Sequence, residues 1–380
     1  MPFIRITHDA IAPVPTDTDF MNIALGLART GLGEVWPNPA VGCVIVAGED
    51  GVGRIVGRGR TQKGGRPHAE TVALAEAGDA ARGATAYVTL EPCSHHGQTG
   101  PCADALIAAG IARVVSALED PDPKVSGRGH ARLAEAGVRV DIGCAAEAAA
   151  EINRGFFSRV RRGRPLVQLK LAVSENWKIA ARPGVRTQIT GAEAGREVQR
   201  MRAEADAILV GQGTWTADDP LLTVRYATAS HRAPVRIILD ARAELPLQTN
   251  LARTAREAPV WAIVAEGVEI GRCVLLENAG IRVIETAAAG GRIDLAALLT
   301  RLGDEGLTRL LVEGGGKVAE SLLRARLADE IHLFTAPIGL PEGGVPAFGD
   351  LDPEAALAGF ALASERKVGA DTLRIWGKES

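Results

Sequence analysis

The chain has 380 residues, 46% of them apolar and 23% charged, which is the balance of an ordinary folded globular protein. That balance excludes an intrinsically disordered chain and a small staple-dependent scaffold, and at about 150 residues per domain the length suggests two or three domains. Basic residues number 43 against 46 acidic ones, a net charge of −3 without a long basic run, and only 4% of residues are aromatic. A nucleic-acid binder needs a basic stripe or stacking platforms, and neither is provided. In chain order, the first twenty residues lack a basic patch followed by an apolar core, so no secretory signal is expected and the protein is placed in the cytoplasm. Residues 19–30 read as a helix and Trp36-Pro37-Asn38-Pro39 as a turn. Residues 41–47 read as a strand, with its hairpin partner at 54–57 across Gly48-Glu49-Asp50-Gly51. Gly51, Gly53 and Gly57 resemble a dinucleotide fingerprint, but the spacing is GxGxxxG and no helix follows, so that site is rejected. Pro67 opens a helix that runs to Ala77, with Gly78 as its stop. A strand at 84–90, a helix at 102–109 and a strand at 111–118 follow. After an alanine-rich helix at 145–157 and a basic linker at 159–164, further strands are predicted at 166–172, 207–210, 235–239, 260–264 and 309–312. A tail at 330–335 and 372–376 closes the second sheet. Strands alternating with helices imply two α/β domains with mostly parallel sheets, the first over 1–145, a linker at 146–164, and the second over 165–380. No stretch approaches the roughly 20 apolar residues of a membrane span.

Five cysteines, an odd number and widely spread, read as free thiols or metal ligands in a reducing compartment. His68-Ala69-Glu70, Pro92-Cys93 and Cys102 make the most informative group. Two thiolates and one imidazole suit Zn²⁺, one ion per chain, and leave the fourth tetrahedral position for water. A purely structural site would need a fourth protein ligand. Glu70, two residues past His68 at a helix start, is set beside that water as general acid and base: it takes the water proton and delivers it to a departing amine. This is the equipment of hydrolytic deamination, whose signature is H-x-E followed by P-C-x-x-C. Here Ser94 to Pro101 separate the cysteines, a loop that carries His95 and His96 to the pocket mouth, where they either touch substrate or stand in solvent. Cys43, Cys144 and Cys273 are expected to be buried thiols.

The second block offers two nucleotide-site candidates. Gly314-Gly315-Gly316 lies between a strand and a helix at 317–323, where backbone amides and the helix dipole suit a phosphate. Gly211-Gln212-Gly213-Thr214 follows a strand and runs into Asp218-Asp219-Pro220-Leu221-Leu222-Thr223 and Arg225. The first is as often just a turn, while for the second a capped surface turn is the lesser alternative.

The stretches His68-Ala69-Glu70, Thr89-Leu90-Glu91-Pro92-Cys93-Ser94-His95-His96-Gly97 and Gly100-Pro101-Cys102 resemble the bacterial bifunctional riboflavin-biosynthesis proteins of the deaminase–reductase type. Asn38-Pro39-Ala40-Val41-Gly42 is similar to that family's substrate-pocket motif, and the resemblance runs from about residue 18 to the C-terminus. It implies a cytidine-deaminase-like α/β/α domain followed by a dihydrofolate-reductase-like α/β domain. The implied activities are deamination of 2,5-diamino-6-(5-phosphoribosylamino)pyrimidin-4-one and then NADPH-dependent reduction of the ribosyl side chain to ribityl. By matching motifs, the resemblance puts Ala172, Thr214, Asp218, Gly315, Gly316, Lys317, Val318, Ala319, Glu320 and Ser321 on NADPH. It puts Asn38, Arg202, Leu222, Arg225 and Glu313 on the phosphoribosyl-pyrimidine substrates, with a homodimer as the expected assembly and neither nucleic acid nor membrane as partner. Two departures stand out: Asn176-Trp177 replaces the family's Asp-Gly turn, and Arg186-Thr187-Gln188 replaces its Ser-x-Trp element, which leaves NADPH against NADH open. The alternatives are a zinc deaminase with a non-catalytic second domain and a nucleic-acid-editing deaminase, the latter opposed by the acidic balance.

Overall fold

Thr16 starts the first helix, Asp17–Arg29, through a capping box: its hydroxyl accepts from the Asp19 amide while the Asp19 carboxylate accepts from the Thr16 amide. The computed structural model describes residues 15–48, 53–95, 100–123, 125–225 and 233–379. They divide into two compact units. The first holds the described residues through Gly31 together with Ala40–Gln62 and Arg66–Ile152; the second holds Leu32–Pro39, Lys63–Gly65 and the chain from Asn153 onward.

The first unit is built on a five-stranded sheet in the order Arg54–Arg60, Gly42–Ala47, Thr85–Val88, Arg113–Ser116, Arg139–Ile142. Gly42–Ala47 pairs antiparallel with both neighbours, and the last three strands run parallel. The predicted hairpin is present and its second strand continues to Arg60, although most of the expected turn, residues 49–51, lies outside the described residues. The helix Ala69–Ala77 packs tightly on Arg54–Arg60, because a Cβ on Gly59 would stand 2.0 Å from the Ala69 carbonyl oxygen. Only glycine admits that approach, which carries the start of the helix, with His68 as its N-cap, down onto the sheet. Gly78 ends the helix at φ +53, as predicted.

The second unit has a nine-stranded sheet in the order Arg282–Thr286, Val260–Ala265, Val235–Leu239, Ala207–Val210, Arg309–Val312, Leu166–Ser174, Glu330–Ala336, Asp371–Lys378, Phe360–Val368. The first seven strands are parallel and the last two antiparallel. A hydrophobic core lies on each face: Val167, Leu169, Leu171 and Val173 belong to one, and Ile208, Val210, Leu311 and Phe334 to the other. Strand alternation therefore turns Gln168, Lys170 and Ala172 to the second face.

Two expectations are corrected here. The segment read as a helix followed by a basic linker is one continuous helix, Ala146–Arg162, and its arginines are pinned in place. Arg162 Nη1 donates to Asp329 Oδ1 at 2.7 Å, and Arg164 Nη1 and Nη2 donate to the two Asp329 oxygens at 2.8 Å each. The division between units falls inside this helix, between Ile152 and Asn153. Gly211–Thr214, read as a nucleotide-site candidate with a capped turn as its alternative, is no turn but a short helix, Gln212–Asp218, with Gly211 as its N-cap.

Candidate active sites

Three side chains meet in the first unit. His68 at the N-cap, Cys93 beyond the strand Thr85–Val88, and Cys102 at the start of the helix Cys102–Ala108 place their donor atoms within 4.8 Å of one another. His68 Nδ1 stands 3.3 Å from Cys102 Sγ and 3.6 Å from Cys93 Sγ. Ligands bonded to one tetrahedral Zn²⁺ at about 2.0–2.3 Å stand roughly 3.4–3.8 Å apart, so the three fit that ion. The Cys102 amide donates to Cys93 Sγ at 3.3 Å. Taken by themselves the two thiols hold a single proton: the hydrogen bond from Cys102, with that of His68, draws the Cys93 thiol well down, while the same bond and burial push Cys102 up. A negative sulfur facing a histidine is a donor set that favours a soft divalent cation.

Glu70 stands at this cluster and is only 3% exposed. Burial, reinforced by the Cys93 thiolate, pushes its carboxyl up to about 7, so it can hold or release a proton near neutrality. A residue that the sequence reading quoted but gave no role, Glu91, fixes the Cys93 segment. Its buried carboxylate accepts from the backbone amides of Asp120 (3.1 Å), Gly127 (3.0 Å) and Gly129 (2.7 Å), the last at the start of the helix Arg128–Glu135. His95 is exposed, and His96 lies outside the described residues. Cys43 and Cys273 are buried as expected, whereas Cys144 is half-buried, since it follows an edge strand and not a core run. Asn38 falls in the segment Leu32–Pro39 that groups with the second unit, where Gly65 closes against its side chain.

In the second unit the two glycine segments follow neighbouring strands, Ala207–Val210 and Arg309–Val312. Gly211 and Gly314 both close on Val318, at 2.5 Å and 2.8 Å from where a Cβ would stand. The Thr214 hydroxyl lies beside Gly315, the N-cap of the helix Gly316–Arg324. Gly315, Gly316 and Lys317 thus form a helix start with outward amides, a natural anion cradle. The rest of the expected segment is engaged elsewhere. Ala319 is fully buried in the core, Glu320 accepts from Arg324 and from the Asp350 amide, and Ser321 Oγ donates to the Lys317 carbonyl.

Arg202 and Glu313, both expected at the substrate, form a two-point pair with each other: Nε to Oε1 at 2.6 Å and Nη2 to Oε2 at 3.0 Å. Arg202 Nη1 also donates to the Thr223 carbonyl at 3.2 Å. Burial alone would raise the Glu313 carboxyl, but Arg202, with Lys170 and Arg225, holds it below its ordinary range. Arg225 is exposed, and its amide donates to Gln199 Oε1. Leu222 is buried at φ +52. Lys170, absent from the sequence-based site, is half-buried with its amine 5.9 Å from the Phe334 ring centre. Burial pushes its pKa down against the fields of Glu313 and Asp218. Asp218 is raised by burial and held back by Arg186 and Lys170. Ala172 lies two residues past Lys170 on the same sheet face, where its small side chain leaves room. The signal that could have revealed Lys170 was a lone lysine in the apolar strand Leu166–Ser174. Trp177 takes the left-handed conformation, φ +61, that its replacement of glycine implies. Its ring stacks 6.0 Å from Phe348 and its carbonyl accepts from the Ala347 amide.

The cytidine and deoxycytidylate deaminase zinc-binding region matches residues 14–118, and the RibD C-terminal domain matches residues 165–373. The riboflavin biosynthesis protein RibD of Escherichia coli (strain K12) is 40% identical over 93% of this chain and 97% of its own. Acinetobacter baumannii RibD superposes with a TM-score of 0.83 at 34% identity, covering 96% of this chain and 99% of that one. A diaminohydroxyphosphoribosylaminopyrimidine deaminase/5-amino-6-(5-phosphoribosylamino)uracil reductase from Thermotoga maritima gives 0.82 at 32% identity, with the same coverage. With a zinc-deaminase region ahead of a RibD C-terminal domain along nearly the whole length of such relatives, the chain belongs to the RibD family of bifunctional riboflavin-biosynthesis enzymes.

Proposed function

We propose that the first unit hydrolytically deaminates 2,5-diamino-6-(5-phosphoribosylamino)pyrimidin-4-one at a zinc site made by His68, Cys93 and Cys102. The second unit then reduces 5-amino-6-(5-phosphoribosylamino)uracil to its ribityl counterpart with NADPH. The observation that carries the first half is the convergence of one imidazole and two thiols within 4.8 Å beside a buried carboxylate. Zn²⁺ supplies a Lewis acid that brings the pKa of a water towards neutrality. Glu70 accepts that water's proton and returns it to the amine that leaves as ammonia. Its position near pKa 7 lets it do both.

In the second unit NADPH supplies a hydride to the opened ribose carbon. Thr214 and the helix start at Gly315–Lys317 bind cofactor phosphate, and Ala172 leaves space for the nicotinamide end. Arg225 binds the substrate phosphate. Arg202 is a positioning residue, because its fork is engaged by Glu313 and it fixes Thr223. Lys170, between Glu313 and Asp218, holds a proton and a positive charge against the substrate. The free thiols suit a cytoplasmic protein, and no helix among the described residues is long and apolar enough to cross a membrane.

Metal analysis of the purified chain tests the zinc reading. One zinc per chain is expected, with both metal and ammonia release lost in Cys93→Ser. Full zinc occupancy in that variant removes Cys93 from the ligand set.

A further inference from the structure

Arg236, in the strand Val235–Leu239, is fully buried at 0% exposure, yet its acceptors are carbonyls and a hydroxyl, not a carboxylate. Nη1 donates to the Leu221 carbonyl at 3.1 Å and to Thr254 Oγ1 at 2.7 Å; Nη2 donates to the Thr254 carbonyl at 2.9 Å and to the Ala258 carbonyl. Nε is buried without a partner among the described residues. Burial lowers its pKa to about 10, which leaves it charged at neutral pH. A buried guanidinium favoured only by the field of Glu257, with no carboxylate bonded to it among the described residues, is costly, so its retention calls for a task.

The Leu221 carbonyl identifies that task. Leu221 lies between two non-glycine residues at positive φ, Asp219 (+39°) and Leu222 (+52°). Such conformations are costly, persist only where the surroundings over-determine them, and cluster at ligand clamps. The strained segment is fixed from three sides. Arg236 holds Leu221 from the core. Asn250 donates its amide to Asp219 Oδ1 at 2.8 Å and its Nδ2 to the Asp219 carbonyl at 2.9 Å. Arg202 holds the Thr223 carbonyl. On either side of the segment stand Asp218 and Arg225.

We infer that Arg236 is a positioning residue of the reductase site: through the Leu221 carbonyl it holds Asp219–Thr223 in the strained path that presents Arg225 to the phosphoribosyl substrate. The inference rests on the reductase reading above. The fork carries the role more than the charge does, because two nitrogens reach four acceptors and tie Leu221 to the turn Thr254–Ala258.

The test compares Arg236→Met, Arg236→Lys and wild type as full-length chains, with denaturant titration as the control for folding of the second unit. KM for 5-amino-6-(5-phosphoribosylamino)uracil is expected to rise roughly 10- to 100-fold in both variants, as for the loss of a hydrogen bond to the charged substrate phosphate. KM for NADPH should stay within about twofold of wild type, a split that a purely structural role would not produce. Arg236→Lys keeps the charge and loses the fork, so it should not rescue. If both variants fail to fold, Asn250→Ala, which releases the same segment from its outer side, decides with the same split at a smaller factor. Folded variants with wild-type KM for that substrate, or an Asn250→Ala chain with no split, overturn the inference. A wild-type chain that oxidises no NADPH with this substrate overturns the reductase reading itself, and the two failures are thereby told apart.

Discussion

Glu70 and Lys170 illustrate what burial does to opposite charges. Burial raises the Glu70 carboxyl to about 7 and lowers the Lys170 ammonium, and both shifts bring a group towards the pH at which proton transfer is useful. Glu70→Gln preserves shape but cannot shuttle a proton, so ammonia release should fall roughly 10²- to 10⁴-fold while bound zinc, measured by metal analysis, remains. For Lys170 the sign is the opposite one. Its ammonium is lost as pH rises through a value below the ordinary lysine figure of about 10.4. The pH profile of NADPH oxidation should therefore show an alkaline fall below that figure, and Lys170→Met should remove the fall along with most of the rate. The two residues also differ in legibility. His68, Glu70, Cys93 and Cys102 are readable because zinc chemistry demands fixed residue types at short spacings. Lys170 and Glu91 are not, because their partners, Glu313 and Gly129, are distant in sequence and meet them only in the folded sheet.

At the scale of elements, buried strands were the easiest to read. Ala207–Val210, Val235–Leu239 and Arg309–Val312 coincide with the predicted ranges, since parallel strands covered on both faces are continuous apolar runs. Arg282–Thr286 and Phe360–Val368 are the two edges of the same sheet; their mixed sequences carry no such run, and neither was predicted. The helix Gln212–Asp218 was not predicted because Gly213 and two threonines oppose a helix locally, and tertiary packing through buried Trp215 overrides them. The helix Ala146–Arg162 extends through the supposed linker for an electrostatic reason: Asp329, 4% exposed, receives Arg162, Arg164 and the Val167 amide. Burial alone would raise Asp329, but Arg164, the Val167 amide and the charge of Arg162 bring it below its usual range. A carboxyl lowered in the folded state contributes stability above its unfolded pKa and loses it as pH falls through the folded value. Removing one partner of a buried pair costs about 3–5 kcal/mol, and the half-exposed Arg162 sets the lower end here. Denaturant titration of Asp329→Asn should show that deficit at pH 7, and the gap to wild type should close as pH falls below about 4.

For the molecule as a whole, the two proposed chemistries share one chain, with the proposed deaminase residues His68, Glu70, Cys93 and Cys102 in one compact unit and the proposed reductase residues from Lys170 to Lys317 in the other. Such a division makes the order of reaction testable in one vessel. Purified full-length protein should be given 2,5-diamino-6-(5-phosphoribosylamino)pyrimidin-4-one and NADPH while ammonia and NADPH are followed together. Ammonia release should come first, with NADPH oxidation following after a lag and reaching the same molar amount. Glu70→Gln should silence both signals with this substrate, yet oxidise NADPH at the wild-type rate when given 5-amino-6-(5-phosphoribosylamino)uracil. Ammonia release with no NADPH oxidation from either substrate would contradict the account, as would a Glu70→Gln chain that still couples the two.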